Sequence, residues 1–217
     1  MNIQMAGVRN KEDALMCVEA GVNIIGLLVG QKHFSDDFIT KEQAREIKLG
    51  LPNNVITTLI THLTDANEII EIAKFIDVDY IQLHSNIDED EVLKIRNTLP
   101  QKKLLRLVHI SENGDLLTDI SKIKYVDFYF TDSINVKTNQ VGGTGLTHNL
   151  ESDKKLIETL DKPVFIAGGL TPENVGEAIK FCKPYGVDVN SGCRAVDGSR
   201  DKEKVLSFVL NAKNACK

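Results

Sequence analysis

Short apolar runs alternate with longer amphipathic stretches along the whole chain. Mostly apolar runs of four to six residues fall at positions 3–6, 24–29, 55–60, 80–84, 104–108, 128–131, 164–167 and 187–190. Runs of this length and continuity suit strands buried on both faces, as in a parallel sheet covered by helices. Between them apolar residues recur at three- and four-residue spacing. That period predicts helices starting near Lys11, Lys41, Asp65, Glu89, Asp115, Ser152, Pro172 and Lys202. Two of these starts carry capping chemistry. Thr40-Lys41-Glu42-Gln43 supplies the hydroxyl and amide of a capping box. Thr171-Pro172 predicts an N-cap with proline at the first helical position.

Eight β-then-α units with short connections imply parallel strands joined by right-handed crossovers. The fold class expected is therefore α/β: a single (β/α)8 TIM barrel spanning residues 1–217. A doubly wound open sheet is the alternative. Such a sheet usually shows a glycine fingerprint after its first strand, and here only Gly7 follows. In a barrel the chemistry belongs to the C-terminal strand ends and the loops that follow them.

Composition narrows the partners. The 217 residues are 42% hydrophobic and 26% charged, the balance of a water-soluble domain. A net charge of −5 argues against nucleic acid as a partner, since that needs a basic face. No apolar run approaches a membrane span, and Met1 leads straight into the first strand. Cys17, Cys182, Cys193 and Cys216 lack metal-ligand spacing and read as reduced thiols of a cytoplasmic protein. The expected partner is a phosphorylated small molecule, with the chain a monomer or a homodimer.

The phosphate expectation comes from two glycine turns. Ala167-Gly168-Gly169-Leu170-Thr171-Pro172 follows one apolar run, and Asn190-Ser191-Gly192 follows the next. Backbone without Cβ atoms lets N–H groups converge on a small anion, and a helix start beyond adds its positive end. All five histidines, His33, His62, His84, His109 and His148, fall at predicted strand ends or in the loops after them. His62, His84 and His109 follow three successive strands. Their imidazoles are candidates for proton transfer near neutral pH, or for a divalent metal held with Asp132 or Asp36. No other cofactor is expected.

Several segments resemble phosphoribosylanthranilate isomerase, an enzyme family of tryptophan biosynthesis. They are Lys11-Glu12-Asp13-Ala14 with Glu19-Ala20-Gly21-Val22, Gln82-Leu83-His84, Val141-Gly142-Gly143-Thr144-Gly145, the turn from Ala167 through Glu173-Asn174-Val175, and Pro184-Tyr185-Gly186-Val187-Asp188-Val189-Asn190-Ser191-Gly192. The resemblance runs in register along nearly the whole chain. It implies an Amadori rearrangement of an aminoaldose to an aminoketose. It implies a phosphate held by Gly168, Gly169, Ser191 and Gly192, with Gly143 and Gly145 in a loop closing over the site. Asp132 matches the family's general acid, which protonates the ring oxygen as the ring opens. An aspartate at the mouth of an apolar strand is partly desolvated, which raises its pKa toward that role.

The resemblance breaks at two places. The family's Lys-Ile-Cys-Gly, whose cysteine is the general base, is here Gln4-Met5-Ala6-Gly7. The family's arginine in the second βα loop, which pairs with the anthranilate carboxylate, is replaced within Gly30-Gln31-Lys32-His33-Phe34-Ser35-Asp36-Asp37-Phe38-Ile39. His84 and His109 are then candidate bases. His33, Asp36 and Arg194 are candidate substrate-loop residues, and Arg194 could contact phosphate or a carboxylate. Cys193, beside the second glycine turn, is a further thiol within reach of the first strand. Three readings stand: an isomerase of this family with altered or impaired chemistry, a different phosphosugar isomerase, epimerase or lyase, and a non-catalytic phosphate-ligand sensor.

Overall fold

The computed structural model describes residues 1–31, 35–110, 116–135, 140–141 and 150–216, with the backbone alone at 110, 132–135 and 140–141. Among the described residues nine strands run in chain order: β1 (Asn2–Met5), β2 (Ile24–Leu28), β3 (Ile56–Thr61), β4 (Tyr80–Leu83), β5 (Lys103–Ile110), β6 (Phe128–Asn135), β7 (Gln140–Val141), β8 (Val164–Ile166) and β9 (Gly186–Val189). Eight of them are parallel. They follow the order β5-β4-β3-β2-β1-β9-β8-β6, and β6 pairs back to β5, so the sheet closes into a (β/α)8 barrel. The short β7 is an antiparallel appendage on β6.

Seven α-helices cover the barrel among the described residues: α1 (Lys11–Ala20), α2 (Lys41–Gly50), α3 (Ala66–Ile76), α4 (Glu89–Thr98), α5 (Leu150–Thr159), α6 (Val175–Cys182) and α7 (Lys202–Asn214). Their starts follow local chemistry. Thr40 and Gln43 form the reciprocal capping box expected for α2. Asp65 accepts from the N–H groups of Asn67 and Glu68 at α3, and Asp201 does the same for Glu203 and Lys204 at α7.

Two expectations about helices change. Position 115 lies outside the described residues, and the segment after it carries only a 3₁₀ turn, Ile120–Lys122. There Asp119 accepts from the N–H and hydroxyl of Ser121. Such local side-chain bonds compete with a regular helix. The other change is at α6, which begins at Val175 rather than Pro172. The Asn174 amide folds back, accepting from Thr171 N–H and donating to the Gly169 carbonyl, so Pro172 to Asn174 form a turn ahead of the helix.

Alternation along each strand separates two cores. Ile3, Met5, Ile25, Leu27, Leu59, Ile81, Leu104, Val108, Ile166, Val187 and Val189 pack outward against the helices. Ile24, Leu105, Leu107, Phe128, Phe130 and Phe165 fill the barrel itself. Tyr185 stacks on Phe128 (centroids 5.0 Å apart) and meets Phe165 edge-on at 5.3 Å. A polar layer crosses the interior above this plug. Gln4 Nε2 donates to Gln82 Oε1 (2.7 Å), and Thr58 Oγ1 donates to Gln4 Oε1 (2.8 Å). Each of these side chains is buried, and the mutual bonds offset part of the loss of water, with Gln82 Nε2 left without a partner among the described residues.

Phe165 touches both the filling and the aromatic plug and is almost fully buried. Phe165→Ala is expected to destabilise the barrel by about 3–5 kcal/mol, read as a lower urea midpoint at unchanged m-value.

Candidate active site

The C-terminal ends of the strands carry the candidate residues, and the structure sorts them into three groups. The first is the pair of glycine turns. Gly168 and Gly169 lie beyond β8 at φ +89° and +67°, a left-handed conformation that side chains rarely adopt. Ser191 and Gly192 lie beyond β9 in a 3₁₀ turn, Ser191–Cys193. A Cβ on Gly192 would fall 2.0 Å from the Leu170 carbonyl oxygen, so only glycine lets the two loops touch. The N–H groups of Gly168, Gly169, Ser191 and Gly192 donate to no protein acceptor among the described residues. Four unused donors on two loops in contact suit a tetrahedral oxyanion. Gly143 and Gly145 lie outside the described residues.

The second group is the histidines. His62 follows β3 directly and His84 follows β4 directly, while His109 lies inside β5. His62 and His84 meet edge to face with centroids 4.9 Å apart, and His84 leans on Phe130 at 5.1 Å. Strands β5 and β6 run further than their apolar cores suggest, because their outer ends pair with each other. In that extension His109 is the register partner of Asp132. The expected acid and a candidate base thus occupy one rung of the sheet, where neighbouring strands are about 4.8 Å apart. Among the described residues no group of three or more His, Cys, Asp or Glu side chains is arranged to hold a metal ion, so the set His62, His84, His109 is not assembled as one. His33 and His148 lie outside the described residues.

The third group surrounds Ala6, which directly follows β1 and is buried with Leu28 and Ile60 in a small apolar patch against which the half-buried Phe38 packs. Above the patch lies a network that no local sequence signal announces. Arg200 is buried and donates to the carbonyls of Ala6 (2.5 Å), Gly7 (2.7 Å) and Asn190 (2.6 Å), and to Asn190 Oδ1 (2.8 Å). Burial pulls its guanidinium below its ordinary pKa. Asn190 Nδ2 donates to Asp37 Oδ2 (2.7 Å), and Arg194 pairs with Asp37 Oδ1 (2.5 Å). Of the two loop aspartates, then, the buried one is Asp37. Asp36 is exposed, and its carbonyl accepts from Arg9 Nη1 at 3.4 Å. The sequence separations of 153 and 193 residues explain why pattern reading missed Asp37 and Arg200. Asp188, also unremarked in the pattern, is buried on β9 opposite Gln4.

Cys193 does not stand in for a base. It is fully buried, and burial pushes its thiol up to about 12, as it does for Cys17 and Cys182. Such thiols stay protonated at pH 8. Cys216 is the exposed one. A chromogenic thiol reagent at pH 8 is therefore expected to titrate one thiol in the native protein and all four in denaturant. Rapid native release of a second equivalent would contradict the burial of the other three.

Comparison with known proteins follows the same outline. The family model for N-(5'-phosphoribosyl)anthranilate isomerase matches residues 3–211. N-(5'-phosphoribosyl)anthranilate isomerase 2 of Methanosarcina mazei is 39% identical over 214 residues, covering 99% of this chain and 95% of that one. The crystal structure of phosphoribosyl anthranilate isomerase from Thermotoga maritima superposes with a TM-score of 0.85 at 26% identity, covering 99% of both chains. A phosphoribosyl anthranilate isomerase in complex with reduced 1-(o-carboxyphenylamino)-1-deoxyribulose 5-phosphate gives 0.80 at 25% identity, again over 99% of both.

Proposed function

The chain belongs to the N-(5'-phosphoribosyl)anthranilate isomerase family, and we propose that it performs that family's Amadori rearrangement of phosphoribosylanthranilate in tryptophan biosynthesis. The observation that carries this reading is the continuity of the match from β1 through both glycine turns. The substrate phosphate is assigned to the four unused N–H groups of Gly168, Gly169, Ser191 and Gly192, with Gly143 and Gly145 contributing from their loop. Such a handle fixes one end of the sugar and leaves its reactive carbons toward β1 and β6.

The chemistry needs one acid and one base. Asp132 is the acid: it gives a proton to the ring oxygen as the C1–O bond breaks, leaving an iminium at C1. A base then removes the proton from C2, and the resulting enamine relaxes to the aminoketose. The Ala6 side chain offers no acceptor atom, and its surroundings of Leu28, Ile60 and Phe38 are apolar. His109, on the same rung as Asp132, and His84 are the bases proposed instead. A second reading, isomerisation or epimerisation of a different phosphorylated sugar, is favoured by one observation: a carboxylate, Asp37, is buried in the loop after β2.

Turnover of phosphoribosylanthranilate by the purified protein tests the first reading. A displaced base costs about 10²- to 10⁴-fold in kcat. Wild type is thus expected to be slow, Ala6→Cys faster, and Asp132→Asn inactive in both backgrounds. Absence of turnover in wild type and Ala6→Cys alike would transfer the assignment to the second reading. A wild-type rate that Ala6→Cys leaves unchanged, and His84→Asn or His109→Asn abolishes, places the base on a histidine.

Inorganic phosphate reports on the handle separately. Gly169→Asp sets a carboxylate against the anion and is expected to weaken phosphate binding by at least about tenfold. Equal affinity in the two proteins would remove the phosphate assignment.

A further inference from the structure

Three consecutive residues of the loop after β2 touch three different things. The Asp36 carbonyl accepts from Arg9, the Asp37 carboxylate pairs with Arg194, and Phe38 packs on the patch of Ala6, Leu28 and Ile60. Arg9 belongs to the loop after β1 and Arg194 to the segment after β9, and these two strands are neighbours in the sheet. Their guanidinium groups crowd one point. A Cβ placed on Gly198 would lie 3.0 Å from Arg194 Nη2 and 3.3 Å from each terminal nitrogen of Arg9. Arg200 adds a third guanidinium bonded to neutral oxygens beside Ala6.

The charges around this cluster do not cancel it. Asp37 is the one carboxylate buried within it among the described residues. Asp36 and Asp197 are exposed; Asp197 accepts from the N–H and hydroxyl of Ser199 and also feels the charge of Arg9, across solvent that screens the attraction. Asp13 accepts from the Arg200 N–H near the start of α1, and Asp201 caps α7. Arg9 enters no ion pair among the described residues. A guanidinium has five donors in a fork that matches a carboxylate, so Arg9 retains most of its capacity and Arg194 part of its own.

We propose that Arg9 and Arg194 form a carboxylate subsite beside an aryl-binding patch of Ala6, Leu28, Ile60 and Phe38, and so select an aryl carboxylate as the non-phosphate half of the substrate. The inference rests on the isomerase reading and names how this chain recognises the anthranilate half without a cation at position 36 or 37. The apolar patch takes the ring, and the two arginines take the carboxylate from the side of β1 and β9. Asp37 holds Arg194 in place and, being an anion, also weakens the subsite.

Calorimetric titration of two ligands tests it: reduced 1-(o-carboxyphenylamino)-1-deoxyribulose 5-phosphate, and the same compound lacking the carboxyl group. Charge-assisted bonds of this kind are worth about 10- to 100-fold in affinity. Wild type is expected to prefer the carboxylated ligand by about that factor. Arg9→Gln should erase most of the preference while leaving the affinity for the carboxyl-free ligand unchanged, and Arg9→Lys should restore part of it. Arg194→Gln strips Asp37 of its partner, so Asp37→Asn/Arg194→Gln is measured beside it and should show the same loss. Asp37→Asn alone should enlarge the preference, which a purely structural role for Arg194 would not produce. Equal wild-type affinity for the two ligands overturns the subsite alone. So does a preference that survives both Arg9→Gln and the double variant. Wild type that binds neither ligand overturns the isomerase reading and the subsite with it.

Discussion

A parallel sheet of eight strands has no edge only when its first and last strands in sequence find each other, and here β1 meets β9 over Asn2↔Gly186 to Met5↔Val189. The bonds of that seam are ordinary ladder bonds. Their effect at the mouth is larger, because the seam brings residues from opposite ends of the chain to one corner. Arg200 then locks the corner, bonding the carbonyls of Ala6 and Gly7 on one side and Asn190 on the other. Its charge is desolvated and met by neutral oxygens. Such an arrangement persists only because several good bonds replace water at once.

That corner divides the mouth into two halves built in different ways. The half at β8 and β9 is built from backbone: glycines at positive φ, a loop contact that admits no Cβ, and N–H groups left unused. Backbone donors carry no side-chain selectivity, so turns of this type suit a tetrahedral oxyanion whatever it is attached to. The half at β1 and β2 is built from side chains: an alanine, an apolar patch, and a buried Asp37–Arg194 pair. Side chains can be exchanged without disturbing the barrel.

The interior polar layer fits the same picture. Gln4, Gln82 and Thr58 bond one another in place of water and lie between the aromatic plug and the mouth. They fix the inner floor of the site from three strands that are far apart in sequence. The histidine pair sits directly above that floor, His62 against His84 and His84 against Phe130, so its ring orientations are set by packing. Packed rings are oriented before any ligand arrives, which is a requirement for a proton-transfer group.

The sequence by itself determined the repeating β-then-α order, the position of every barrel strand to within a few residues, and the two glycine turns. These are local properties: a strand's continuous apolar run, a helix's period, and a glycine's freedom are each written in adjacent residues. It also read His62, His84 and His109 as following strands and Asp132 as following the run 128–131; His62 and His84 do follow β3 and β4, while His109 and Asp132 lie inside the longer β5 and β6. Tertiary structure decided the rest. Strands β5 and β6 lengthened because each supplied the other's outer hydrogen bonds, which put His109 and Asp132 on one rung. The α6 start moved because the Asn174 side chain turned back to Gly169 and Thr171. Of two adjacent aspartates only Asp37 was buried, because Arg194 and Asn190, more than 150 residues away, were there to receive it. Pairing between distant side chains depends on the closed barrel, and no stretch of sequence contains that information.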